Sequence, residues 1–212
     1  MKRSLASGVL AVLLAAAFSA TSARAANTLV LPRAGQVGIG VAVQGGSLLS
    51  AGDYGQEFGS GGGLTVRLRY RMRFERAIGL SFDMQRLAAR TPSGRAGAFD
   101  SLTDAPAVLR KQLRVNTAGI EFYQLFDTRE RTVKSVSAGF GLVQTSARLS
   151  NGETQFPIAG DGIYLSAGAG VERFFIRSWA YDLGARYMAI FHDGSMNHDV
   201  QAHIGLIFYA AY

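Results

Sequence analysis

The sequence predicts an all-β protein, an eight-stranded antiparallel up-and-down β-barrel that crosses a membrane. Three observations predict it. Hydrophobicity alternates with a period of two from Val37 to the last residue, the signature of strands with one apolar face. The connections between the alternating segments are by turns short and long, the layout of a barrel with turns at one end and loops at the other. The face opposite the apolar one carries glycine, serine and charged residues, which suit a narrow bore better than a water-exposed surface.

A leader precedes this pattern. Met1 to Ala25 combines Lys2 and Arg3, an apolar run from Leu5 to Phe18 and the small-residue site Ala23-Arg24-Ala25, so residues 1–25 are expected to be a secretory signal peptide and 26–212 the barrel domain. Removing it leaves a net charge of +4, too small by itself to suggest nucleic acid, and none is expected as a partner. The chain has no Cys, which excludes a disulfide scaffold, a thiolate metal site and a Cys nucleophile. After residue 25 no apolar run approaches the ~18 residues of a transmembrane helix.

The strands follow in order. Val37, Ile39, Val41 and Val43 oppose Gly38, Gly40, Ala42 and Gln44 in the first. The second is the clearest, with Leu64, Val66, Leu68, Tyr70, Met72 and Phe74 against Thr65, Arg67, Arg69, Arg71, Arg73 and Glu75. A helix would scatter those arginines around its circumference. The third sets Ile78, Leu80, Phe82 and Met84 against Gly79, Ser81, Asp83 and Gln85. In the fourth, roughly Gln112 to Phe126, Leu113 and Val115 share one parity and Ile120 and Phe122 the other, which predicts a bulge near Thr117 to Gly119. The fifth, sixth, seventh and eighth carry Val136 to Leu142, Ile163 to Val171, Trp179 to Tyr187 and Val200 to Ala210 on their apolar faces. Short links fall near Glu75-Arg76, Asp127 to Arg131 and Ile176-Arg177. Long ones span Gly46 to Gly62, Leu87 to Lys111, Ser150 to Gly162 and His192 to Asp199.

Alternation does not by itself separate a membrane barrel from a soluble one; the polar face does. Strands five and six oppose their apolar residues with Gly, Ser and Ala, where a water-facing wall would carry long charged side chains. Pointed inward, those small residues leave room for large ones. In a barrel of eight, strands two and six lie across from each other, so the arginine ladder faces Ser166, Gly168, Gly170 and Glu172, with Arg71 and Arg73 level with Glu172. By parity the interior holds Arg67, Arg69, Arg71, Arg73 and Arg186 against Glu75, Asp83, Glu121, Glu172 and Asp182, with Arg114 near the outer rim. Buried charges need partners, and eight strands leave a bore only wide enough for side chains, so a plugged, non-conducting structural network is expected. Aromatic residues close all four strands running to the periplasmic end, Phe74, Phe126, Phe174 and Tyr212, and Trp179 and Tyr181 begin the seventh strand at that level.

With these features the chain resembles the small outer-membrane β-barrels, the group of OmpX, the OmpA transmembrane domain and the OmpW-like proteins. The resemblance covers about Gln36 to Tyr212 and includes the final segment Ile204 to Tyr212, whose Phe208 and terminal aromatic Tyr212 are similar to the signal read by the barrel-assembly machinery. That signal usually ends in Phe. The resemblance implies an integral outer-membrane location in a Gram-negative-type envelope and, as partners, outer-membrane lipids, lipopolysaccharide and the assembly machinery. It leaves activity open.

The densest group of reactive side chains is His192-Asp193-Gly194-Ser195-Met196-Asn197-His198-Asp199. His192, Ser195 and Asp193 are the parts of a hydrolase, and lipid A enzymes among barrels of this kind give the idea a precedent. The spacing departs from the deacylase pattern, and Asp-Gly and Asn are also turn formers. His192, Asp193, His198 and Asp199 are the alternative divalent-metal reading; no metal or cofactor is expected. His203 falls on the interior face, as a core histidine. The long second link carries Arg90, Arg95, Arg110 and Lys111, suited to an anionic surface, with one helical turn expected around Ala107 to Lys111. A non-enzymatic envelope-structural or surface-interaction role is expected, with a lipid A hydrolase and a narrow solute pore as alternatives.

Overall fold

A computed structural model of the chain describes residues 34–50, 53–90, 110–150, 155–192 and 194–210. The expected leader, Arg95, Asp193 and Tyr212 lie outside the described residues, as does most of the expected helical turn. Eight strands close in sequence order into one antiparallel barrel, each paired with its chain neighbours and β1 with β8. They are β1 (Val37–Leu48), β2 (Phe58–Arg73), β3 (Arg76–Ala89), β4 (Arg110–Phe126), β5 (Thr132–Ser150), β6 (Gln155–Ile176), β7 (Trp179–His192) and β8 (Ser195–Tyr209), with one short helix, α1 (Asp53–Glu57), between β1 and β2.

The apolar residues of the alternating pattern face outward all around the wall. Ile39, Val41, Leu64, Leu80, Phe82, Phe122, Phe140, Leu142, Ile163, Leu165, Ile204 and Leu206 are all exposed. A continuous apolar belt of that extent is stable only against hydrocarbon. At one end of the belt Trp179 packs on Phe208 with ring centroids 5.0 Å apart, and Phe175 on Tyr181 at 4.5 Å. These rings form the girdle of the short-turn end.

The structure departs from the sequence expectations at several points. β4 carries no bulge: it pairs without a break to β3 from Arg76↔Gln124 to Ala88↔Gln112 and to β5 from Arg110↔Ser150 to Phe126↔Lys134. Leu113 and Val115 simply face inward with Glu121 and Tyr123, because the interior changes from polar to apolar toward the outer end. Arg110 and Lys111 begin β4, so they are strand and not helix. The connection expected from His192 to Asp199 is a two-residue turn, since His192 pairs with Ser195. Gly194 takes φ 76° there, a left-handed conformation that glycine adopts without a Cβ clash. Phe174 is buried inside the barrel; its parity follows Glu172, and the girdle position goes to Phe175.

Candidate functional site

The interior has three levels. At the short-turn end Arg71 Nη2 donates to Glu172 Oε2 at 3.0 Å, and the Tyr209 hydroxyl donates to the same oxygen at 2.8 Å. Phe174 and Tyr209 lie ring to ring at 5.7 Å beneath the Arg71 guanidinium, whose carbon is 5.0 Å from the Tyr209 centroid. Arg69 pairs with Glu172 and lies over the Tyr123 ring at 4.0 Å. Gly170 on β6 borders the same small void as Arg69, with Ser135 and Ser137 of β5.

The middle level is one charged network. Arg186 Nη2 reaches Asp83 Oδ2 and Gln201 Oε1, both at 2.6 Å, and Arg186 Nη1 reaches Glu121 Oε1 at 2.7 Å. Thr117 donates to Asp83 Oδ2 at 2.7 Å, and Tyr123 donates to Glu121. Arg67 Nη1 lies 3.4 Å from Asp182 Oδ2 and 2.7 Å from His203 Nε2, and His203 Nε2 is 3.3 Å from Asp182. Gln201 extends the chain to Gln85 at 2.9 Å and Asp199 at 2.8 Å. Every one of these charged groups has an opposite charge in contact or a neutral hydrogen-bond partner, the condition for keeping ions out of water.

The outer level is apolar. Leu48, Phe58, Leu87, Leu113, Val115, Val143, Tyr164, Met188 and Ile190 form a buried cluster, and Tyr54 of α1 packs against it. Arg90 binds three backbone carbonyls around α1: its Nε donates to Gly55 O at 2.7 Å and to Phe58 O at 3.0 Å. Its Nη2 donates to Leu48 O, and Tyr54 N donates to Asn197 Oδ1 at 2.9 Å. Arg90, expected on a solvated link, is thus a clamp on the plug.

The sequence-derived site residues fall as follows. Arg67, Arg69, Arg71, Asp83, Glu121, Glu172, Asp182 and Arg186 are buried together inside. Arg73 is not: it is exposed where the β2–β3 register shifts beside the Phe74-Glu75 turn, and Glu75 is exposed with it. The strand pair has left the bore at that height. Asp199, expected only as an alternative metal ligand, belongs to the interior together with Tyr123, Tyr209, Gln85 and Gln201, and each shares the parity of the polar face. The upper apolar cluster has no signal of its own in the sequence, because an inward apolar residue reads the same as a lipid-facing one. Phe208 faces outward.

His192 and Ser195 do not assemble as a hydrolytic pair. Ser195 Oγ donates to the His192 backbone carbonyl at 2.9 Å and accepts from Asn197 Nδ2 at 3.4 Å. The His192 ring contacts Asp161 O through Nδ1 at 2.8 Å and stacks on Tyr54 at 5.8 Å. The metal reading is also separated by the wall. His198 lies outside against Tyr187, with ring centroids 5.8 Å apart, whereas Asp199 is buried in the bore. Among the described residues no group of three or more acidic or imidazole ligands converges.

Similarity to known proteins agrees with this architecture. Solved structures with the same fold include the attachment invasion locus protein Ail of Yersinia pestis, at 12% identity over 82% of this chain and 99% of that one, with a TM-score of 0.53. Neisserial surface protein A matches at 14% identity over 81% and 96%, with a TM-score of 0.52. No curated protein matches by sequence. The profile of the outer membrane protein beta-barrel domain matches residues 10–208, and the chain belongs to that family as an integral outer-membrane β-barrel.

Proposed function

We propose that this is a non-enzymatic, non-conducting barrel whose work is done at its outer surface, an envelope-structural or surface-interaction protein. One observation carries the proposal: among the described residues the bore is filled by side chains. The void among Arg67, Arg69, Glu121, Tyr123, Asp182 and Arg186 is about 20 Å³, room for about one water. The apolar plug and α1 lie above it. That void is too small for a hydrated solute or a substrate. The outer surface has material to spare. β5 and β6 run for 19 and 22 residues, whereas ~9–11 cross the hydrocarbon, and their surplus stands on the long-link side.

The test joins two measurements. Folded protein, identified by heat-modifiable migration on a detergent gel, is inserted into planar bilayers, and the expected record is silent. Cells carrying the chain with residues 91–109 replaced by a short Gly-Ser link are compared with a deletion strain for detergent sensitivity and surface adherence. The expected result is a barrel that folds but behaves as the deletion. Stepwise conductance, or full complementation by the shortened chain, overturns the proposal.

A further inference from the structure

The outward face of β3 to β6 carries a feature that a passive wall does not need. Arg86 on β3 and Arg114 on β4 are direct cross-strand partners and both point away from the bore. Like charges placed directly opposite on a sheet are destabilising. Among the described residues no acidic side chain offsets them. Arg114 Nε donates to Asn116 Oδ1 and its Nη2 to Met84 Sδ, each at 3.2 Å, and both acceptors are neutral. The outward row below on β3, β4 and β5 is Met84, Asn116 and Gln144, and above lie Ala88 and Gln112. The closest acid by register among the described residues is Asp161, one strand further on and opposite Gln144.

The height of the pair is informative. Arg114 lies twelve positions along β4 from Phe126 at the short-turn end. At ~3.3 Å per residue and a tilt near 40° that is about 30 Å along the membrane normal, against an apolar band ~25 Å tall. The two guanidiniums therefore sit just beyond the hydrocarbon, at the headgroups of the outer leaflet. Directly below them the wall is indented. An apolar groove of about 410 Å³ is lined by Ala118, Ile120, Phe140, Leu142, Ile163 and Leu165. It opens where Ala118, a single methyl, stands between Phe82 and Leu142 in its row.

We propose that this surface binds one phosphorylated glycolipid of the outer leaflet, with a phosphate held between Arg86 and Arg114 and an acyl chain lying in the groove over Ala118. Guanidinium forks match phosphate oxygens, and a phosphate between them turns a repulsive pair into a stabilised one. The charge above, the groove below and the boundary between them form one continuous amphiphilic site.

The full barrel is folded in detergent micelles and analysed by native mass spectrometry with bisphosphorylated lipid A, enzymatically dephosphorylated lipid A and phosphatidylglycerol. The expected result is retention of one bisphosphorylated lipid A, at least tenfold better than either other lipid. Arg86→Gln with Arg114→Gln, and separately Ala118→Phe, should each reduce retention at least tenfold while heat-modifiable migration stays unchanged. Equal retention of phosphatidylglycerol, retention insensitive to either variant, or a lipid-free dimer lost in both variants overturns the proposal.

Discussion

Arg186 on β7 donates to Asp83 on β3 at 2.6 Å, tying together two strands that stand four places apart around the barrel. The same guanidinium holds Glu121 on β4 at 2.7 Å. Both acids are almost completely buried, so the arginine is their counter-charge and not an optional decoration. Replacing one member of such a buried set strands the others.

Arg186→Met is therefore expected to destabilise the barrel by about 3–5 kcal/mol, the scale for removing one partner from a buried ion pair. Asp83→Asn, which keeps the shape and one acceptor for Thr117, should cost less. Urea titration of the folded and unfolded gel bands for both variants measures the difference. A smaller loss for Arg186→Met than for Asp83→Asn contradicts the assignment of Arg186 as the hub.

The lipid face gives a second test. Leu68 is on the outward side of β2 between the buried Arg67 and Arg69. Leu68→Arg places a charge in hydrocarbon and is expected to cost about 2–4 kcal/mol, read as a lower urea midpoint in bilayers. Leu68→Ala should be milder. Equal tolerance of both changes refutes the assigned orientation of β2.

Gly119 offers a third, based on close approach. A Cβ there would run into the Tyr164 hydroxyl and would stand 2.6 Å from the Phe140 carbonyl oxygen. The Tyr164 ring also crosses Gly141, 2.8 Å from where that residue's Cβ would be. Gly119→Val is expected to cost about 1–3 kcal/mol by overpacking. Adding Tyr164→Ala should recover only part of the loss, because the carbonyl belongs to the backbone. Full recovery in the double-variant cycle contradicts the backbone share of the clash.

The plug supplies a fourth. Met188 is completely buried among Leu113, Val115, Tyr164 and Ile190 at the outer level. Met188→Ala is expected to cost about 2–5 kcal/mol through the cavity it leaves. The bilayer record should remain silent, because the charged level beneath is intact. Conductance from this variant would place the seal in the plug alone.

Ser195 completes the set. Its hydroxyl is engaged with the His192 carbonyl at 2.9 Å, so Ser195→Ala should leave the lipid A mass spectrum of whole cells unchanged and reduce stability only slightly, by ~1 kcal/mol for one hydrogen bond. A shifted lipid A mass on expression of the wild-type chain, absent in the variant, would revive the hydrolase.

Much of this barrel was legible in the residue order because a strand encodes one bit at each position, inward or outward. That bit sufficed for eight strands, closure, the lipid belt and the burial of Arg67, Arg69, Arg71, Asp83, Glu121, Glu172, Asp182 and Arg186. It also holds for Leu113 and Val115, which share the parity of Glu121 and face inward although they are apolar. Phe174 follows Glu172 in the same way.

What alternation does not encode is height, and height decided the rest. The stagger between neighbouring strands sets which inward residues meet across the bore, and so made Arg186 the partner of Asp83 and Glu121, sent Arg73 out beside its turn, and gathered the apolar inward residues into a plug under α1. It also closed β7 to β8 through two residues, leaving His198 outside and Asp199 inside. Side is a property of the local pleat and is written in each strand; level is a property of the closed hydrogen-bonded sheet, which no single strand contains.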